Sequence, residues 1–355
     1  MRTPKSFSKF DVSASGACAA RFGRCGSTAL LHILSGLLVL FAASANALAQ
    51  PAADDADWPK RVIRLIVSAA PGSAGDTICR IVAMKLGERL GQQFVIDNRP
   101  AAAGTIAAEG LARSPPDGYT VGLITTSTQV IAAIFNAGLS YDPVKDFAPI
   151  SMIGSSPYVL AVHPGFAAQN VADLVALAKS KPGQVNNAAF GSTSLGHLAG
   201  VLFAHLAGIE LNQVAYRSSA QAVIDAVAGR IEMQFSTLPP AVPLIREGKL
   251  RALATTGVKR VSLLPDVSTI AESGFPGYDV ALWFGIAAPA GTPPGIVARF
   301  NREMSAVLVS PEVKDALAQQ GLQPEPGPPE ELGRRINADL TKWRDLIAKV
   351  GIKAQ

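Results

Sequence analysis

Residues 61–98, RVIRLIVSAAPGSAGDTICRIVAMKLGERLGQQFVIDN, carry the pattern that decides the fold. A short β-branched run (61–68) gives way to a Gly/Ala/Ser loop. A segment of helical period follows, with Ile78, Ile81, Val82 and Leu90 on one face, and then a second strand-like run, QQFVIDN. That is strand, loop, helix, strand with short connections. The unit recurs as YTVGLITT followed by TSTQVIAAIF, as VNNAAFG followed by STSLGHLAGVLFAHLAG, and as LRALATTG late in the chain. Alternating strands and helices of this kind predict open, mainly parallel α/β sheets flanked by helices, whose ligands bind at the carboxyl ends of the strands. The extended segment Tyr158–Val162 follows Pro149 to Pro157, and a similar one, Val280–Ala288, follows a Gly-Phe-Pro-Gly turn. Two such segments suit a chain that crosses to a second lobe and returns, with helices over 293–308, 312–317 and 330–350 packing back on the first.

Composition bounds the function. With 355 residues, 48% hydrophobic and 17% charged, the chain is long enough for two cores. Its formal charge of +5 sits mainly in residues 1–49, where Arg2, Lys5, Lys9, Arg21 and Arg24 face only Asp11. The rest is close to neutral, so basicity gives no argument for nucleic acid. After those bases come the apolar run Ala29–Ala45 and the tripeptide Ala47-Leu48-Ala49, the order of parts in a secretory signal peptide cleaved before Gln50. The run holds His32 and Ser35 and is short for a membrane span of ~20 residues. Removal of the leader takes Cys18 and Cys25 with it, leaving Cys79 without a disulfide partner as a half-buried packing thiol.

Catalytic and metal motifs are not convincing. His197 and His205 are eight apart on one predicted helix, too far for a zinc pair, and no HExxH or CxxC occurs. Gly191-Ser192-Thr193-Ser194-Leu195-Gly196 misses the spacing of a hydrolase elbow, and Gly72-Ser73-Ala74-Gly75 lacks the lysine of a phosphate-binding loop. What remains is three small-residue loops, each between a strand and a helix: Ala69–Asp76, Thr125–Thr128 and Gly191–Gly196. Free N–H groups at a helix start, with adjacent hydroxyls, can hold a carboxylate without arginine. The plain alternative is turns and caps, with Asp76, Ser127 and Ser194 closing helix ends.

At these residues a resemblance becomes specific. Trp58-Pro59-Lys60-Arg61, Ala70-Pro71-Gly72 with Asp76, Asn98-Arg99-Pro100, Pro116-Asp117-Gly118-Tyr119-Thr120, Tyr141-Asp142-Pro143, His197-Leu198, Leu264-Pro265-Asp266-Val267 and Pro289-Ala290-Gly291-Thr292-Pro293 follow one another in the order of the Bug family. These are the receptors of tripartite tricarboxylate transporters, and the likeness covers the chain after the leader. The resemblance implies a two-lobed periplasmic binding protein fold, type II-like, with lobe 1 over 50–157 and 281–355 and lobe 2 over 158–280. It implies a small organic acid or amino-acid-like ligand, no cofactor, integral membrane transporter subunits as partners, and a periplasmic monomer. By the family's pattern the ligand carboxyl is gripped by Ala70–Asp76 and by Gly191–His197. The sequence departs from that pattern at Ser68–Ser73, at Ala101–Ala103, at Thr193 and at Ala215-Tyr216-Arg217-Ser218, so ligand identity is not inherited.

The expected binding residues are Ala70, Ser73, Asp76, Thr126, Ser127, Ser192, Thr193, Ser194, His197, Tyr216 and Trp283. Several have a structural alternative: Asp76 as a helix cap, since a carboxylate repels an anionic ligand, His197 as a capping or core residue, and Trp283 with Phe284 as lobe packing. Arg217 is either solvated or the cation nearest the cleft. The competing function is a periplasmic enzyme on the same scaffold, pairing His197 with Ser194 or Asp76.

Overall fold

A computed structural model describes residues 58–100, 104–189, 194–216 and 219–352. The leader 1–49 with its cleavage site, Ser192, Thr193 and Arg217 lie outside these residues. In chain order the elements are β1 (Ile63–Val67), α1 (Ala74–Leu90), β2 (Phe94–Asn98), α2 (Thr105–Ala112), β3 (Thr120–Thr125), a π-turn (Ser127–Ile131) running into α3 (Ala132–Phe135), and β4 (Phe147–Val162). Then come α4 (Val171–Ser180), β5 (Asn186–Ala189), α5 (Leu195–Ala207), β6 (Asn212–Ala215), α6 (Ser219–Val227), β7 (Met233–Thr237), α7 (Leu238–Arg246) and β8 (Arg251–Thr255). The chain closes with β9 (Ala281–Pro289), α8 (Pro294–Val309), α9 (Pro311–Gln319), β10 (Gln323–Pro324) and α10 (Pro329–Val350).

The strand order β2-β1-β3-β9-β4-β7-β5-β6 separates into two halves at β4. Residues 147–157 of β4 pair antiparallel with β9, which pairs with β3, and β1 joins β3 to β2 in parallel. From Tyr158 onward the same strand pairs with β7 on one side and β8 on the other, and β7, β5 and β6 run parallel. The two half-sheets are the two lobes. Each is mainly parallel, with β9 and the two-residue β10 reversed in the first and β4 in the second, and each is flanked by helices.

β4 is longer than the sequence reading, which began it at Tyr158. Its prolines are placed where they cost no ladder bond: Pro149 borders an irregularity in the pairing with β9, and Pro157 is the last residue paired with β9 before the change of partner. Gly154 has another constraint, since a Cβ there would lie 2.1 Å from the Gln323 carbonyl of β10.

Period-2 burial builds both layers of lobe 1. Ile63, Leu65, Val67, Val121 and Leu123 face α1, α8 and α9, where they meet Ile78, Val82, Phe300 and Met304, while Ile66 and Ile124 face Ala107, Leu111, Leu332 and Ile336. Cys79 is fully buried rather than half-buried, its thiol pushed up by burial. In lobe 2, Leu160, Met233 and Phe235 pack under α5, and Val159, Ala161 and Ala188 face α6 and α7. Among the described residues, no helix is long and apolar enough to cross a membrane.

α10 is fastened to the start of β9 by a buried charge cluster. Asp339, 4% exposed, accepts the Trp283 indole N–H (2.8 Å) and pairs with Arg335 (3.1 Å) and Lys342 (3.0 Å). Arg335 also reaches Asp279 (3.1 Å). Truncating Asp339 leaves a largely buried arginine and an indole without their acceptor, so Asp339→Ala is expected to cost about 3 to 5 kcal/mol. Urea unfolding monitored by tryptophan fluorescence checks this.

Candidate functional site

The first loop leaves β1 at Val67 and enters α1 through Ser73, whose extended backbone makes it the N-cap. No side chain caps this helix: the Ser73 hydroxyl turns back to donate to Ala70 O (2.7 Å). Asp76 is therefore not the cap but the third helical residue, and it reaches back past the cap. Its carboxylate accepts from Gly72 N–H (2.8 Å), Arg80 Nε (2.9 Å) and Asn98 Nδ2 (2.9 Å), and the same Asn98 amide donates to Ala69 O (2.9 Å). Arg80 above all, helped by Gly72 and Asn98, holds the acid down to about 2 against the opposing effect of burial. Asp76 thus organises the loop, with its charge neutralised from within the lobe.

Two further segments close on this loop. Gly104 stands before α2 with φ 89°, and a Cβ there would lie 2.8 Å from Ser68 Cβ and 2.9 Å from Thr128 Cγ2. Only glycine lets the start of α2, also without a side-chain cap, settle against both. At the end of β3, Thr128 Oγ1 accepts from Thr125 N–H (3.0 Å) and fixes the π-turn, a form of helix often found at functional sites. Thr126 is buried with its hydroxyl committed to β9, accepting from Trp283 N–H (3.0 Å). Ser127, half-buried, makes no side-chain hydrogen bond among the described residues.

In lobe 2, Ser194 caps α5 by accepting from His197 N–H (3.2 Å). That bond is to the backbone of His197, not its ring. The imidazole is held below its ordinary range by burial, only partly offset by a hydrogen bond with Gln213, and Gln213 Oε1 in turn accepts from the buried Asn187 (2.8 Å). His197 is therefore neutral at neutral pH, with a buried Nδ1 that has no partner among the described residues. Tyr216, at the end of β6, is half-buried and donates its hydroxyl to Asp225 (3.1 Å).

Of the expected residues, the structure groups Ala70, Ser73 and Ser127 at the carboxyl ends of β1 and β3, and Ser194, His197 and Tyr216 at the carboxyl ends of β5 and β6. Trp283 is fully buried with its indole committed to Asp339, whereas Phe284 lies against the start of α1, 3.8 Å from where a Gly75 Cβ would stand. Sequence reasoning named Ser68 and Thr128 only as members of loops and did not single out Gly104, Asn187 or Gln213. Asn98 was quoted within a motif but given no role, and nothing in its spacing announces that it bridges Asp76 and Ala69. Among the described residues, no group of three His, Cys, Asp or Glu could hold a metal ion.

Comparison with known proteins gives the arrangement its relatives. The profile described as tripartite tricarboxylate transporter family receptor matches residues 78–352. Protein BugT of Bordetella pertussis is 33% identical over 321 residues, covering 90% of this chain and 98% of its own. A protein of R. palustris solved with adipate is 35% identical with a TM-score of 0.70, covering 84% of this chain and 100% of its own. MatC from Rhodopseudomonas palustris, with bound malate, is 28% identical with a TM-score of 0.65, covering 82% of this chain and 100% of its own.

The Asp76 network has a pH signature. Because the folded carboxyl titrates near 2, below its ordinary 3.8, its stabilisation is complete above about pH 4 and is lost as pH falls towards 2. With the Arg80 side chain 52% exposed, the interaction is screened, and Asp76→Asn is expected to cost about 1 to 2 kcal/mol at pH 7 while flattening the acid limb. Denaturant midpoints of both proteins between pH 2 and 7 measure it.

Proposed function

The chain belongs to the tripartite tricarboxylate transporter receptor family, and from that premise we propose that it captures a small dicarboxylate of four to six carbons between its lobes for a membrane transporter. The observation that carries this reading is the chemistry of the first loop. Asp76 is neutralised by Arg80 and Asn98, so the uncapped starts of α1 and α2 present N–H donors without a facing negative charge. The relatives solved with adipate and malate support the size and charge of the ligand.

In this reading Ala70, Ser73 and Ser127 receive one carboxylate, and Ser192, Thr193, Ser194 and His197 the other, with Tyr216 at the rim. Asp76, Thr126 and Trp283 support the site without touching the ligand. The lobes divide at 157/158 and 280/281, the protein acts in the periplasm as a monomer after cleavage behind Ala49, and integral membrane subunits receive the ligand. Binding leaves the ligand chemically unchanged and requires no metal.

Calorimetry with adipate and malate, with and without chelator, followed by recovery of the ligand, tests the reading. Saturable binding that survives chelator and returns intact ligand is expected; consumption of the ligand would favour the enzyme. Ser194 accepts from the helix and keeps its own proton to donate. Ser194→Ala should therefore weaken adipate binding by roughly 10- to 150-fold, the value of a hydrogen bond to a charged group, beyond a capping loss of ~1 kcal/mol in stability. Unchanged affinity would remove this loop from the site.

A further inference from the structure

The chain passes between its sheets twice, inside β4 at Pro157 and Tyr158 and along residues 256–280 between β8 and β9. One side chain serves both crossings. Thr256 is fully buried, and its hydroxyl accepts from Tyr158 N–H (2.7 Å) while donating to Val280 O (2.5 Å). Its backbone repeats the connection, with Thr256 N–H donating to Tyr158 O (2.9 Å) and Val280 N–H donating to Thr256 O (2.8 Å). Tyr158 is the residue at which β4 exchanges β9 for β7, and Val280 immediately precedes β9.

We infer that Thr256 is the positioning residue of the hinge, its hydroxyl joining the two crossings into one pivot about which the lobes turn together. The backbone bonds tie Thr256 to each crossing separately. Only the hydroxyl gives the two crossings a common atom, accepting from one and donating to the other. Two strands bending independently would let the lobes twist as well as close, and the ligand-competent arrangement would then be one among more states. Apparent affinity falls with the fraction of molecules in that arrangement.

The role in binding rests on the capture function proposed above, so the pivot is measured first without ligand. Spin labels at Ile106→Cys on α2 and Ile224→Cys on α6, both exposed, report the distance between lobes in exported protein, where the buried Cys79 stays unlabelled. Thr256→Val keeps the shape and removes the hydroxyl. The expected result is a broadened distance distribution for the Val variant, a distribution close to the parent's for Thr256→Ser, and adipate affinity reduced about 3- to 10-fold by Val and restored by Ser. Should the Val protein fail to fold, Thr256→Ala, which leaves room for a water at Tyr158, is compared with Ser in its place. An unchanged distribution in the variant without the hydroxyl, or equal broadening by Ser, overturns the inference. Adipate that fails to bind the parent counts against the ligand assignment and leaves the distance measurement to decide the pivot.

Discussion

The structure depends on one strand belonging to two sheets. β4 is 16 residues long, and its pairing changes at Pro157 and Tyr158 from β9 to β7 and β8. Every other strand is tied to one half. Each half-sheet carries helices of its own, and one buried apolar cluster, from Ile66, Ile124 and Leu332 to Phe203 and Phe235, runs across the change of partner. The shared strand explains why α10, the last helix, is fastened so firmly at the start of β9. Trp283, Asp339, Arg335, Asp279 and Lys342 fix the returning segment to lobe 1 immediately beyond the second crossing. A buried charge cluster is a costly way to gain stability, but it specifies one register where apolar packing would tolerate several.

What the sequence could show followed the strength of its periodicity. β1, α1, β2 and β3 have β-branched runs or a clear apolar face, and their limits were read within two residues except at the start of α1, which the reading placed three residues late, at Thr77. The second lobe was harder. β6 (NQVA) and β7 (MQFST) are short and carry Asn and Gln where a central strand would hold valine, so period gives no signal. Gln234 in β7 is buried, and the half-buried Gln213 in β6 accepts from the buried Asn187 of the neighbouring β5. β4 hid behind Pro149 and Pro157, because a proline normally argues against a strand, and only the changing pairing of this one makes them tolerable.

The site was legible as loops and not as roles. The small-residue stretches after β1, β3 and β5 were marked by composition, and they do sit at strand ends. Composition does not distinguish a side chain that points at a ligand from one that holds a loop. Asp76 and Ser73 illustrate this: the serine at the cap position makes no capping bond, while the aspartate three residues on ties Gly72, Arg80 and Asn98 together. Asn98 is 22 residues from Asp76, and Gly104 meets Ser68 from 36 residues away. Such contacts come from sheet order and have no local sequence signature.

The distribution of charge around the first loop bears on how a carboxylate receptor has to work. A guanidinium aimed at the ligand would hold it strongly but would have to be desolvated with it and would resist release. Here the arginine is directed at Asp76, so the pair acts inside the lobe and sets the geometry of the backbone. In the proposed site the donors left for the ligand are peptide N–H groups and hydroxyls. They are fixed in direction before the ligand arrives, so little ordering remains to be done on binding. Their positive character comes from helix starts and fades within a turn, which favours a carboxylate seated at the loop over one in bulk solvent. On the proposed capture function, grip comes from the number of donors converging as the lobes meet and release from their separation, which places the control of affinity in the hinge and not in a single charged side chain.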